Sequence, residues 1–191
     1  MRQRGERRGA VIAATGVGKT YLAAFDVVQS AARKVLYVSH RLEHLTQALR
    51  SFGSVLGHSH SLGLVGGGHD QHEADIVFAT IASLNNRPSL LTGHWDYLVI
   101  DEFHHAEAAS YQALRPIRDR AFLLGITATP ERQDGRDVLE WCDWNVAYEV
   151  RLAEAIDRDW LLPFHYFGIA DETVDFLQIP WRNLSAVESA L

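Results

Sequence analysis

Cysteine is almost missing from this 191-residue chain: Cys142 stands alone. No internal disulfide can form, and the expected setting is reducing and cytoplasmic. Lysine is nearly as scarce, with only Lys19 and Lys34. No apolar run approaches the roughly 20 residues that a membrane-spanning helix needs. No hydrophobic signal core follows the basic start, so no membrane partner is expected. Basic charge in bulk is lacking too. The formal net charge is −6, which excludes a protein that clamps nucleic acid with its whole surface, so any such contact has to be local. Arg2, Arg4, Arg7 and Arg8 crowd ahead of the first apolar run, and residues 1–9 are expected to be a solvated basic end.

What is present is ordinary globular usage, with 47% hydrophobic and 22% charged residues. The length suits one full domain and would cramp a second. Apolar runs at Ala10 to Ala14, Lys34 to Ser39, Asp75 to Thr80, Tyr97 to Ile100 and Ala121 to Thr127 are near-continuous rather than alternating. That pattern predicts parallel strands covered on both faces. Helical periodicity separates them. One helix after Thr20 carries Leu22, Phe25 and Val28 along one side; the next places Leu42, Leu45, Leu49 and Phe52 at three- and four-residue spacing. Ala106 to Arg118 also looks helical. The glycine-rich stretch Gly53 to Gly68 predicts a loop or bulged hairpin. The fold class is therefore α/β, a mostly parallel, doubly wound sheet flanked by helices on both faces, with its ligand site at the carboxyl edge of the strands. Residues 10–150 are expected to form this domain and residues 151–191 an extension or linker. In that extension Val150 to Asp159 looks helical and Phe164 to Ala170 looks like a strand.

Ala13-Ala14-Thr15-Gly16-Val17-Gly18-Lys19-Thr20 fits the phosphate-loop pattern, with alanine where the strict pattern has its first glycine. Small residues let the backbone amides of Ala14, Thr15, Gly16, Val17 and Gly18 wrap phosphates, and the following helix turns its positive end toward them. Lys19 reaches the β- and γ-phosphates and the Thr20 hydroxyl ligates Mg²⁺, so the expected ligand is ATP with magnesium. The strand Tyr97 to Ile100 runs straight into Asp101-Glu102-Phe103-His104-His105, which delivers two carboxylates to the same sheet edge. Asp101 can hold magnesium, and Glu102 can orient and deprotonate the water that attacks the γ-phosphate.

Asp101-Glu102-Phe103-His104 resembles the DExH box of superfamily-two DEAD/DEAH helicases, and further segments match in order. Val38-Ser39-His40-Arg41 and Ala79-Thr80-Ile81-Ala82-Ser83-Leu84 resemble the family's two backbone-contacting strand ends. Gly125-Ile126-Thr127-Ala128-Thr129-Pro130-Glu131-Arg132 resembles the threonine-rich block that couples hydrolysis to movement. The double histidine, the proline-glutamate-arginine and Leu162-Pro163-Phe164-His165-Tyr166-Phe167-Gly168 are similar to the helicase part of type III restriction-enzyme-like proteins. The resemblance implies an N-terminal RecA-like ATP-binding domain of a nucleic-acid-dependent ATPase, helicase or translocase. It makes Lys19, Asp101 and Glu102 catalytic and His104, Thr127 and Thr129 coupling residues. His40, Arg41, Thr80 and Ser83 become contacts to the nucleic-acid backbone, with DNA favoured over RNA. The same four residues also suit helix caps and strand ends.

Members of that family work as two RecA-like domains with ATP between them, and the second domain supplies an arginine finger. No second phosphate-binding core follows Pro130, and Gln3 lies too close to Lys19 to be the family's adenine-reading glutamine. The resemblance thus implies a partner domain in cis or trans, and a chain with little hydrolysis of its own. The alternative is a silent nucleotide- or nucleic-acid-binding subunit of a larger assembly; a small phosphate-loop kinase has no use for the threonine block. His58, His60, His69 and His72 fit no standard zinc spacing and read as loop histidines. Trp95, Trp141, Trp144 and Trp160 read as core or interface residues, and His105 as a packing neighbour of His104.

Overall fold

The computed structural model describes residues 5–129 and 138–163. In chain order these form β1 (Arg8–Ala13), α1 (Lys19–Ser30), β2 (Val35–Ser39), α2 (Leu42–Leu56), β3 (Leu62–Gly66) and β4 (His69–Asp70). There follow β5 (Ile76–Thr80), α3 (Ile81–Asn85), α4 (Pro88–Thr92), β6 (Tyr97–Asp101), α5 (Arg115–Arg118), β7 (Phe122–Thr127), β8 (Val146–Val150) and α6 (Leu152–Asp157). One sheet takes all the strands in the order β4-β3-β5-β2-β6-β7-β1-β8. Every pairing is parallel except β3 with β4, a hairpin turned by Gly67 and Gly68. The expected α/β architecture is what the chain adopts.

Continuous apolar runs make the interior strands because each strand feeds two cores. Along β6, Tyr97 and Val99 join the cluster under α1, α2 and α6, while Leu98 and Ile100 join the one under α3, α4 and α5. Helix α1 lies close to the sheet because the residues it buries are small: Ala23, Ala24 and Val27. The Leu22, Phe25 and Val28 side faces outward instead, with Phe25 61% and Val28 49% exposed. Burial of α2 follows the expected spacing more closely, with Leu45 and Phe52 fully buried. Among the described residues no helix is long and apolar enough to cross a membrane.

Several elements depart from the sequence expectations. Gly53 to Gly68 is not one loop: α2 continues through Gly53 to Leu56, and β3 is a sheet strand paired in parallel with β5. Glycine has low intrinsic strand preference, but the ladder to β5 overrides it. Gly63 is required there, since a Cβ would stand 2.0 Å from the Gln71 carbonyl oxygen. Ala106 to Arg118 is a succession of a 3-10 turn (Ala109–Leu114) and the short α5 (Arg115–Arg118), not one helix. Pro116 sits in the first turn of α5, where its missing amide costs nothing. β8 was not legible as a strand, because four of its five residues are exposed at the sheet edge.

The basic end is more ordered than expected at Arg8. Its guanidinium pairs with Asp119 at 3.2 Å and Asp143 at 3.1 Å, tying the start of β1 to two other segments. Arg2 and Arg4 lie outside the described residues, as do Gln3, Pro130-Glu131-Arg132 and the strand expected at Phe164 to Ala170. The compact unit runs through Leu161, with α6 burying Ala155 against the core. Trp95 and Trp141 are core residues, whereas Trp144 and Trp160 are exposed, the latter under the Arg158 guanidinium.

One contact seats the acidic motif. Phe103, fully buried, lies flat over Gly125 of β7, and a Cβ at 125 would come within 2.4 Å of its ring. The G125A variant is expected to lose about 1–3 kcal/mol by overpacking. Urea denaturation checks this: a lowered midpoint with unchanged slope is expected, and an unchanged midpoint would show that Phe103 does not depend on the glycine.

Candidate nucleotide site at the carboxyl edge

Strand β1 ends at Ala13, and the chain turns through Thr15 to Gly18 before α1 begins. Gly16 (φ 93°) and Gly18 (φ 89°) take left-handed conformations that a side chain would strain. Gly18 is the residue immediately before α1, so the loop leaves the first amides of the helix facing outward, as an anion requires. Lys19 folds back over the loop, its Nζ donating to the Ala13 carbonyl at 2.8 Å and the Ala14 carbonyl at 3.3 Å. Burial pushes the Lys19 ammonium below the ordinary lysine range, and the Glu102 and Asp101 carboxylates oppose that shift.

β6 lies two places from β1 in the sheet, with β7 between them. It delivers Asp101 and Glu102 opposite the loop. Burial raises the Asp101 carboxyl above the usual carboxylate range. The Tyr37 hydroxyl opposes the rise, as does the Glu102 amide, which donates to Asp101 Oδ1 at 3.0 Å. Glu102 is held at φ 51°, a left-handed conformation uncommon outside glycine and asparagine. Residues are kept there at a cost of order 1–3 kcal/mol when the surroundings over-determine them. Phe103, anchored over Gly125, is the surrounding that does so here.

Thr15, Gly16, Gly18, Lys19, Thr20, Asp101 and Glu102 line one cavity of about 300 Å³, walled on its far side by His44, Gln47 and Ser51 of α2. The Thr20 hydroxyl and Asp101 carboxylate are hard oxygen donors of the kind magnesium takes. The residues present therefore fit a magnesium–nucleotide ligand. His44 and Gln47 had no signal in the sequence, since both sit on the polar side of an amphipathic helix.

The other expected residues divide into two groups. His104 Nδ1 lies 3.0 Å from Thr127 Oγ1 and 3.4 Å from Glu102 Oε2. Thr127, fully buried, donates to the Thr129 carbonyl at 3.0 Å and accepts from its amide at 3.2 Å. His104, Thr127 and Thr129 thus form one connected set behind Glu102. His40, Arg41, Thr80 and Ser83 gather instead at the ends of β2 and β5. There Thr80 caps α3, its Oγ1 accepting from the Ser83 amide at 3.1 Å and donating to the Ser83 hydroxyl at 2.8 Å.

A ladder of rings joins the two groups, and the sequence reading missed it. His44 meets His40 at 5.6 Å between centroids, His40 meets His105 at 4.6 Å, and His105 meets His104 at 4.2 Å. His105 is therefore more than a neighbour beneath His104: it bridges β2 to the acidic motif. Burial holds His40 below the ordinary histidine range, and the charge of Arg41 adds to the effect. Three buried polar atoms without partners crowd the last residues of β2, namely the Tyr37 hydroxyl, Ser39 Oγ and His40 Nδ1. Of the loop histidines, His72 pairs with Asp70 at 2.8 Å and His60 with the Ser59 hydroxyl at 2.9 Å.

Known proteins resemble this chain in sequence and in fold. The chain is 31% identical over 134 residues to the DNA 3'-5' translocase XPB2 of Sulfurisphaera tokodaii, covering 70% of this chain and 30% of that protein. It is 27% identical over 171 residues to a putative mitochondrial ATP-dependent helicase, irc3, of Schizosaccharomyces pombe, covering 83% of this chain and 28% of the relative. The chain thus spans under a third of the length of either relative. Among solved structures, the UvsW helicase of bacteriophage T4 superposes with a TM-score of 0.61 at 17% identity, over 74% of this chain and 54% of that one. That match shows the fold. Residues 1–132 match the family described as type III restriction enzyme, res subunit, which is most of the chain. The chain belongs to that family, as a helicase-type ATP-binding domain of RecA-like fold.

Proposed function

We propose that this chain binds ATP with magnesium and contributes one wall of a nucleic-acid-stimulated ATPase site, the motor of a translocase or helicase. The observation that carries the proposal is the convergence of Lys19, Thr20, Asp101 and Glu102 on one cavity. The outward amides of the phosphate loop bind the phosphate oxygens, and Lys19 leaves its two carbonyl partners to reach the terminal phosphates. Thr20 and Asp101 would hold magnesium. When bound, it supplies the positive charge that neutralises the transferring phosphoryl group. Glu102 orients a water and takes its proton as the water oxygen bonds to the γ-phosphorus and the bond to the β-phosphate oxygen breaks. His104 holds the Glu102 carboxylate against Thr127, so that a displacement of the threonine block changes how Glu102 is aimed.

His40 and Arg41 are proposed to touch the nucleic-acid backbone, with Thr80 and Ser83 beside them. Arg41 is exposed and makes no described ion pair, and His40 carries an unpartnered buried nitrogen. Such contacts read no sequence. DNA is the favoured track, because the translocase relative acts on DNA. We further propose that residues 10–150 carry the motor core and residues 151–191 lead on from it, and that the arginine finger comes from a second RecA-like domain in cis or trans.

Alone, the chain is expected to release phosphate from ATP at a rate near background. Adding the second domain in trans should raise it roughly 10³- to 10⁵-fold; continued silence in a complex that binds both ATP and DNA would favour a non-hydrolysing subunit. In that complex E102Q is expected to retain nucleotide-dependent thermal stabilisation while phosphate release falls to background, whereas K19A should lose both. For the DNA contacts, R41A is expected to weaken duplex binding equally for unrelated sequences and to lower the slope of log affinity against log salt by about 1. Anisotropy titrations over a salt series measure this, and an unchanged slope would remove Arg41 from the backbone-binding set.

A further inference from the structure

Tyr37 stands in the middle of β2, in a stretch that otherwise reads as plain apolar core, and it is fully buried. Its ring is fixed by Phe52 at 5.5 Å and Phe78 at 5.2 Å between centroids. The register sets where the hydroxyl goes. Tyr37 pairs with Val99 of β6, and both belong to the core under α1 and α2. Side chains two residues apart along a strand share a face, so Asp101 lies on that same face, one diagonal step from Tyr37. A diagonal neighbour of this kind is within reach of a long aromatic side chain. Thr20 covers the same face from the first turn of α1. The hydroxyl is buried with no formed hydrogen bond, on the face of the sheet that carries Asp101.

A buried hydroxyl with no partner costs about 1–3 kcal/mol, and phenylalanine would fill the same space without that cost. The two phenylalanines packed on Tyr37 show that this core accepts such a ring. The ring shares the sheet face of Asp101, one of the two residues that would ligate magnesium, and a phenol is a donor that a carboxylate can use.

We infer that Tyr37 is a positioning residue for the magnesium ligands, its hydroxyl donating to the Asp101 carboxylate and fixing that carboxylate toward Thr20. The assignment rests on the ATP–magnesium reading above. Asp101 is left with two donors, the Glu102 amide from its own chain segment and Tyr37 from the neighbouring strand. The amide sets one oxygen, and the phenol restrains rotation of the group about its Cβ–Cγ bond. Groups that orient a metal ligand in this manner typically affect metal affinity by roughly 10- to 100-fold. The low end applies here, because the Glu102 amide remains.

The test uses the full chain and the Y37F variant, with thermal unfolding followed against a non-hydrolysable ATP analogue over a magnesium series. Y37F is expected to fold with an unchanged or higher Tm in the absence of ligand. Its stabilisation by the analogue without magnesium should equal that of the unsubstituted chain. The magnesium concentration giving half of the additional stabilisation should rise about tenfold. An identical magnesium dependence in both proteins overturns the assignment. So does a loss in Y37F that is equal with and without magnesium, since that marks a general disturbance of the cavity. An unsubstituted chain that gains nothing from magnesium at any concentration overturns the underlying ATP–magnesium reading instead.

Discussion

Parallel pairing governs the placement of every group in the site. A parallel strand cannot be joined to its neighbour by a tight turn, so each one has to be returned by a crossover that covers a face of the sheet. The crossovers α1 and α2 cover one face together with α6, while the crossovers α3, α4 and α5 cover the other. All seven parallel strands then end at the same edge. Ala13, Ser39, Thr80, Asp101 and Thr127 are the last residues of five of them. The chemistry is distributed between positions 13 and 127 of the sequence yet meets along one edge. Nothing beyond register and crossover is needed to assemble it.

The charges at that edge favour an anionic ligand that brings its own cation. Lys19 brings one positive charge against the two carboxylates of Asp101 and Glu102, and burial works against ionisation of both Lys19 and Asp101. A phosphate chain entering alone would meet two carboxylates of its own sign. A divalent cation entering with it reverses that interaction, because the ion is the largest local charge and favours the ionised form of any carboxylate it touches. On the proposed ATP–magnesium reading, nucleotide and metal binding would be coupled by this arrangement, and Asp101 is the residue through which the coupling would pass.

The phosphate loop and the acidic motif were legible in the sequence because each interrupts an apolar run with residues that a core excludes. Gly16, Gly18 and Lys19 break off β1; Asp101 and Glu102 break off β6. Such interruptions are local, and so is the signal. β3 and β8 were not legible for opposite reasons. β3 is glycine-rich and exists because β5 offers it a ladder, while β8 is an exposed edge without the apolar run that marks its neighbours. The outward apolar side of α1 misled for a third reason: periodicity identifies a stripe but not which way it faces, and the small residues Ala23 and Ala24 allow the closer packing. Tyr37 and His44 carry no local signal at all, and the double histidine marks His105 without showing what it touches. Their meaning appears only when register puts Tyr37 beside Asp101 and stacks His40 on His105.

The ring ladder gives the edge a physical continuity between its two halves, and its chemistry constrains what it can transmit. Histidine rings at centroid distances of 4.2 to 5.6 Å repel one another if several are charged. The partial burial of His40 and the charge on Arg41 keep that ring neutral more readily than a free one. Contact between the rings can pass displacement from one half of the edge to the other. Displacement matters only where something has two arrangements. In this ladder the short 3-10 turn Phe103–His105 is the element placed to have them. It spans three residues, follows a left-handed Glu102, and is held by Phe103 over Gly125 and by His104 against Thr127. A phosphate pressing on His40 would push His105, and the turn would pivot about Phe103. His104 would then move relative to Thr127 and carry the Glu102 carboxylate with it. If His40 meets a phosphate as proposed, Phe103 over Gly125 is where the acidic motif is seated, and His104 is where a displacement would reach Glu102.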